Sequence, residues 1–410
     1  MKWVYVSNYM NHHVQPLCDE LFRRLGTDFC FIQTDEMTKE RRDLGWGNEQ
    51  LPTYVIKYMQ DRETCDRLIM ESDIAMIGWS SLPFSVMKQR FTNGKPAFRL
   101  SERIYKEGQW KRFSPRGLKA KEKEHGAFRD YPVYLLCVGA YVASDFRLIH
   151  AYPEKMYRFG YFTEVGECDF RQWTDSSVVK LLWTGRLMEL KHPEYALHAA
   201  AELKRQGIAV QLDLVGDGPL RTALEQECRQ LGLEEQVVFH GALQPKEVRQ
   251  FMKSAAIFLF TSNYLEGWGA VVGEAMSCGC AVVASAEAGA VPFLIHSGQN
   301  GLTYEHNSYK EFLKQVLLLA NDSAYAQKLG MEARQTVETL WNAETAVQRL
   351  LCFCEEQEHA TEVTTAKSGA RMTHRQMPHY EDEGPLTPAP ILKAQSFFRT
   401  LQEKNHQDHG

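Results

Sequence analysis

Between residues 256 and 292 the chain reads as strand, loop, helix and strand, and that order commits it to a parallel sheet. Residues 256–260 (Ala-Ile-Phe-Leu-Phe) form a short apolar run suited to a strand buried on both faces. The loop Ser-Asn-Tyr-Leu-Glu-Gly-Trp-Gly (262–269) opens a helix that ends at Cys278, with Gly279 as its C-terminal cap. Residues 280–284 are the next buried strand. Two strands joined through a helix run parallel, and a parallel sheet needs helices over both faces.

The same alternation fills the rest of the second half. Strands are expected over 178–184, 208–215 and 237–240. Helices are expected over 193–206, 219–231, from 245, and as closing elements over 308–319, 325–340 and 343–354. Proline opens and glycine closes the earlier helices, as at Pro193/Gly207 and Pro219/Gly232. In the first half, strands are expected over 2–7, 29–33, 54–58, 74–78, 96–100 and 133–138, with helices over 14–25, 63–71 and 83–91. A chain of 410 residues suits two such domains, divided as 1–165 and 166–357.

Two carboxylates distinguish the unit at 256–292 from an ordinary crossover. Glu266 lies in the loop and Glu274 in the early turns of the helix, seven residues between them. A helix N-terminus offers unpaired N–H groups and a positive dipole end to phosphate, while Gly267 and Gly269 let backbone approach a ligand. Carboxylates beside such a site accept hydrogen bonds from hydroxyls. A ligand with anionic phosphates and many hydroxyls is a nucleotide sugar.

On these residues the sequence resembles the retaining glycosyltransferases of family 4, within the glycosyl transferases group 1, whose signature is Glu, seven residues, Glu. The resemblance extends to Trp183-Thr184-Gly185-Arg186-Leu187 followed by Lys191, and to Leu214-Val215-Gly216-Asp217-Gly218-Pro219-Leu220, all in family order between residues 178 and 301. It implies the GT-B fold, two doubly wound Rossmann-like α/β domains facing across a cleft, with the acceptor on the first domain and the nucleotide sugar on the second. It further implies that Arg186 and Lys191 take the leaving diphosphate and that Glu266 holds the transferred sugar. Glu274 would accept the ribose hydroxyls, and Gly185, Gly216, His240, Gly241, Gly267, Trp268 and Gly269 would line the donor. The donor would be a UDP- or GDP-sugar, the acceptor a carbohydrate or a lipid-linked carbohydrate, and no metal would be required.

Composition narrows the partners. Apolar content is 44% and the formal net charge is -5, so nothing in the whole chain points to nucleic acid. Ten cysteines are scattered without a Cys-x-x-Cys pair, and neither a signal peptide nor an apolar run near the roughly 18 residues of a membrane span is visible. The expectation is a cytoplasmic protein with reduced thiols. Residues 99–123 depart from the average, with nine cations against three carboxylates for a local charge of +6. Tyr105, Trp110, Phe113 and Leu118 are interleaved among them. That mixture fits an anionic membrane surface, and equally a solvated helix face.

In the first half, the loop at 8–13 follows the first strand, where ligands of open α/β sheets bind. His12 and His13 there are acceptor-side candidates, able to orient a hydroxyl or move its proton; the alternative is that they fill a helix entrance. The Gly-Gly pair common in this loop of the family is absent. Trp79-Ser80-Ser81 closes another strand and could contact a sugar or only pack. Residues 359–390, rich in Thr, Pro, His, Gln and charge, are expected to be disordered within a tail of 358–410, with a short amphipathic helix over 391–401.

Rival readings are a dinucleotide oxidoreductase, a sugar-nucleotide epimerase or phosphorylase on the same fold, and an inactive carbohydrate-binding subunit. The first fails on spacing. After Gly216-Asp217-Gly218 the third glycine position of the dinucleotide fingerprint holds Arg221.

Overall fold

In the computed structural model the chain is described at residues 1–43, 47, 50–166, 177–305, 308–365, 380 and 382–392. It divides into two compact units, Met1–Lys39 with Gly47–Tyr161 and Ala343–Gly410, and Glu40–Trp46 with Phe162–Asn342. Each is a parallel sheet wound with helices, the Rossmann-like pair expected of a GT-B fold.

The first unit carries β1 (Trp3–Ser7), β2 (Phe29–Gln33), β3 (Val55–Lys57), β4 (Ile74–Ile77), β5 (Ala97–Ser101), β6 (Val133–Val138) and β7 (Met156–Phe159). Their order in the sheet is β3-β2-β1-β4-β5-β6-β7. Every residue of β1, β4 and β6 is buried, as continuous apolar strands of a covered parallel sheet must be. The register runs Trp3↔Phe29 through Ser7↔Gln33 on one side of β1 and Trp3↔Ile74 through Val6↔Ile77 on the other.

The second unit carries β8 (Val179–Thr184), β9 (Val210–Val215), β10 (Val237–Gly241), β11 (Ile257–Phe260), β12 (Ala281–Ser285) and β13 (Leu302–Tyr304), in the order β10-β9-β8-β11-β12-β13. Its core joins Leu181, Leu212, Ile257 and Val283 from four strands to Leu197, Leu203, Phe312 and Leu329 from the covering helices. In both sheets the winding reverses beside the first strand, between β1 and β4 and between β8 and β11.

The C-terminal boundaries differ from expectation. The helix expected over 343–354, counted within 166–357 but of the closing kind that in GT-B folds packs back on the first domain, runs on to Thr365 and groups with the first unit. Its Phe353 ring lies 4.6 Å from Tyr134, 5.5 Å from Phe98 and 6.0 Å from Tyr157, so aromatic packing against β5, β6 and β7 decides its allegiance. Between the two sheets the units divide at Tyr161 and Phe162.

The tail expected to be disordered from residue 358 contains a docked segment at 382–392. The amide of Leu386 donates to the Arg158 carbonyl (2.8 Å), Arg158 donates to Thr387 (2.8 Å), and Ala389 donates to Met156 (2.9 Å). These bonds pair the segment antiparallel with β7, the edge strand, with Tyr157 opposite Pro388. Leu386 is fully buried, and Arg349 holds Asp382 with two bonds of 2.9 and 2.6 Å. Composition predicted disorder because few apolar residues stand among proline and charge; the partners that order the segment lie 33 residues away at Arg349 and 229 away at Arg158. The helix expected over 391–401 lies outside the described residues apart from 391 and 392.

Candidate active site

The second unit gathers the predicted residues at the carboxyl ends of β8 and β11, its point of reversal. Gly185 and Arg186 follow β8 directly, and a short 3-10 turn, Glu189–Lys191, brings Lys191 back. The loop after β11 brings Glu266, and Lys191 Nζ meets Glu266 Oε2 at 2.6 Å, both side chains 19% exposed. The ion pair joins residues 75 apart in sequence and was not anticipated by spacing.

Thr261 and Trp183 fix this contact; Trp183 opens the motif at 183–187, while Thr261 drew no attention in the sequence. The Trp183 indole N–H donates to Thr261 Oγ1 (2.9 Å), whose hydroxyl donates to the Lys191 carbonyl (2.5 Å). The amide of Asn263 donates to the Leu190 carbonyl (2.8 Å), a second tie between the two loops. Thr261 and Asn263 stand directly after a buried strand in a ligand-binding type of sheet, which is the only signal that could have marked them.

Glycines form the floor beside the pair. The Gly185 amide donates to Val215 (3.0 Å) and the Gly216 amide to Gly241 (2.8 Å), so the ends of β8, β9 and β10 mesh through backbone. Gly216 adopts φ 139°, and a Cβ there would sit 1.8 Å from the Gly185 carbonyl oxygen. No other residue fits. Gly269, at φ 89°, caps the start of the helix Ala270–Ser277, where a Cβ would lie 2.6 Å from the Phe260 ring.

The remaining candidates take varied positions. Arg186 is exposed, whereas Glu274 is buried within the helix Ala270–Ser277. Gly267 is half-buried and Trp268 buried, its carbonyl accepting from Ala290 (2.8 Å). His240, on β10 beside Gly241, is 2.7 Å from Asp213 Oδ1 through Nε2, and Phe251 lies 4.3 Å from its ring. Asp213 is a buried carboxylate in the middle of an apolar strand. That anomaly in Val-Gln-Leu-Asp-Leu-Val was legible and went unused.

In the first unit His12 and His13 lie in the turn after β1, half-buried, with ring centroids 3.8 Å apart. Asn11 makes the turn, its side chain accepting from the amides of His13 (2.9 Å) and Val14 (3.2 Å). The basic segment is less charged in effect than its count. Arg99 and Lys121 pair with Glu124, Arg103 with buried Asp145, Lys106 with Glu102 and Lys111 with Glu107. Exposed cations remain at Arg112, Arg116, Lys119 and Lys123, beside exposed Trp110, Phe113 and Leu118. Among the described residues no helix is long and apolar enough to cross a membrane.

Comparison with known proteins bears on the two units differently. Residues 171–336 match the model of the glycosyl transferases group 1. An uncharacterized glycosyltransferase of Methanocaldococcus jannaschii, MJ1607, is 33% identical over 127 residues, 31% of this chain and 32% of that one. The amylovoran biosynthesis glycosyltransferase AmsK of Erwinia amylovora is 28% identical over 177 residues, 42% of this chain and 43% of that one. The chain thus spans about a third of the length of the curated relatives it matches first. The structure of Anabaena Alr3699/HepE, solved in complex with UDP, superposes with a TM-score of 0.62 over 89% of this chain and all of that one, at 17% identity. That likeness covers both units and concerns their fold, while the similarity to the glycosyl transferases group 1 model is confined to residues 171–336.

Proposed function

We propose that the chain is a retaining glycosyltransferase, moving a sugar from a UDP- or GDP-sugar to a carbohydrate or lipid-linked acceptor in the synthesis of a cell-surface polysaccharide or glycan. The observation that carries this is the Lys191–Glu266 pair over a floor of glycines at the point where the second sheet reverses. The pair gives a cation for a diphosphate and a carboxylate for sugar hydroxyls, and the floor lets backbone come close. The UDP complex of the Anabaena protein and the amylovoran role of the Erwinia one support donor class and pathway.

As the bond between the anomeric carbon and the diphosphate breaks, negative charge builds on phosphate. Arg186 and Lys191 face that charge, with the N-terminus of Ala270–Ser277 adding N–H donors. Glu274 accepts the ribose hydroxyls, and Gly216, His240 and Gly241 hold the nucleoside side. Gly267, Trp268 and Gly269 shape the loop against the donor. Glu266 positions the transferred sugar and keeps Lys191 in place before donor arrives. The acceptor, carried by the first unit with His12 and His13 near its hydroxyl, attacks from the face the diphosphate leaves, and a phosphate oxygen takes the proton. No metal takes part in this scheme.

The exposed cations and aromatics at 110–123 would hold the protein on an anionic bilayer bearing a lipid-linked acceptor, each cation contributing about 1 kcal/mol. Proton NMR of the freshly formed glycosidic linkage, run with and without excess chelator, tests the chemistry. A retained anomer formed in chelator is expected. An inverted product, or activity restored only by manganese, would overturn the mechanism.

A further inference from the structure

The rule that locates the site in the second unit applies equally to the first. Its sheet reverses between β1 and β4, so the crevice for a ligand lies outside the carboxyl ends of those strands. The residue standing there is Trp79, with 80% of its surface in water, the most exposed of the large hydrophobic side chains described. An isolated exposed apolar residue is common and needs no explanation by itself, so the case rests on the polar groups built beside it.

Trp79 is held. Its carbonyl accepts from the Asn8 amide (2.6 Å) and from Ser7 Oγ (3.2 Å), which ties the end of β4 to the end of β1. Beside it a polar shelf is built from the end of β2. Asp35 accepts from Thr34 Oγ1 (2.8 Å), from the Ser81 amide (3.3 Å) and from Ser81 Oγ (2.5 Å), while the Ser81 amide also reaches Thr34 Oγ1 at 3.0 Å. Thr34 is itself buried, so the carboxylate is anchored from within the sheet. Because Ser81 gives its hydroxyl proton to Asp35, its oxygen keeps free lone pairs for an incoming O–H.

An exposed indole two residues before a serine hydroxyl that a fixed carboxylate holds matches the chemistry of a pyranose. One face of such a ring presents C–H groups of partial positive charge to the negative face of an aromatic π system. Its rim presents hydroxyls, which a carboxylate and a serine oxygen accept. A purely apolar ligand would waste the shelf, and an anion would be repelled by Asp35.

We propose that Trp79 is a stacking platform for a sugar ring, with Asp35 and Ser81 taking the ring's hydroxyls. The proposal deepens the function above, on which it rests for the role of that sugar as acceptor. The sugar contact itself stands on the geometry alone.

Saturation-transfer NMR on the full chain tests it, with methyl β-D-glucopyranoside, methyl β-D-galactopyranoside, methyl α-D-mannopyranoside and cellobiose as probes and UDP in the same tubes. At least one glycoside is expected to take up saturation, strongest on the C–H protons of one ring face. That signal should fall about tenfold or more in Trp79→Ala and persist in Trp79→Phe. Because the side chain is exposed, the substitution leaves the core intact, and the UDP signal of each variant reports a folded second unit. Failure of every glycoside to be saturated, or wild-type signals in Trp79→Ala, would overturn the proposal. A wild-type protein that takes up glycoside signal but none from UDP would instead count against a uridine donor while leaving the platform standing.

Discussion

Substituting Leu386 by alanine should destabilise the first unit by about 3 kcal/mol. The side chain is fully buried at the edge of the sheet, and leucine-to-alanine changes at such sites cost about 2–5 kcal/mol. The lower part of that range applies because a tethered segment can leave its site, which caps the loss at the free energy of docking. That docking already offsets a penalty, since Leu386 adopts φ 63° and an L-residue in the left-handed region costs about 1–2 kcal/mol. Urea unfolding measures the change. Hydrogen exchange locates it, because the Arg158 amide, which donates to Thr387, should exchange faster while that of Leu135, inside β6, follows global unfolding only. Removing residues 366–410 should act similarly and leave β7 as a bare edge prone to self-association. A Leu386→Ala protein within about 0.5 kcal/mol of wild type, with unchanged exchange at Arg158, would refute the reasoning.

Other expectations concern the site and the charge. Glu274→Ala should weaken donor affinity with turnover less affected, whereas Arg186→Ala should lower turnover about a hundredfold or more if, as proposed, it faces charge that develops only in the transition state; equal effects in steady-state kinetics would remove these roles. Lys191→Ala and Glu266→Ala should be non-additive in kcat/KM, since each leaves the other unpaired, and additive losses would show that the 2.6 Å contact has no bearing on the reaction. Burial lowers the Lys155 amine to about 8 from 10.5, so the unfolded chain binds the extra proton between those values and stability should rise with pH across that window. Lys155→Met should flatten that part of the urea midpoint profile, and an unchanged profile would contradict it. Arg112, Arg116 and Lys119 replaced together by Gln should abolish co-sedimentation with anionic liposomes at low salt, and retention would show a solvated face only.

How far the sequence reaches is visible in particular elements. Runs such as Phe29–Gln33 and Ile257–Phe260 announce themselves because both faces of a parallel strand are buried. The strands Met156–Phe159 and Leu302–Tyr304 and the helix Val142–Leu148 do not, being only four, three and seven residues long. Gly216 and Gly269 were legible because their backbone conformation and close contacts demand glycine. Thr261, which orients Lys191 through its carbonyl, was not, because the tie depends on a contact 70 residues away. The segment at 382–392 was misread for the same reason. Its order comes from Arg158, 229 residues from Thr387, and from Arg349, 33 residues from Asp382, rather than from its own composition.

The central claim is that the second unit binds a nucleoside diphosphate sugar and breaks its bond to phosphate. Release of free nucleotide from UDP- and GDP-sugars, followed with the full chain and with Lys191→Ala, tests it most directly. The account predicts steady release from at least one donor and a fall of about a hundredfold or more in the variant. Absence of release from every donor tried, or release untouched by loss of Lys191, would contradict it.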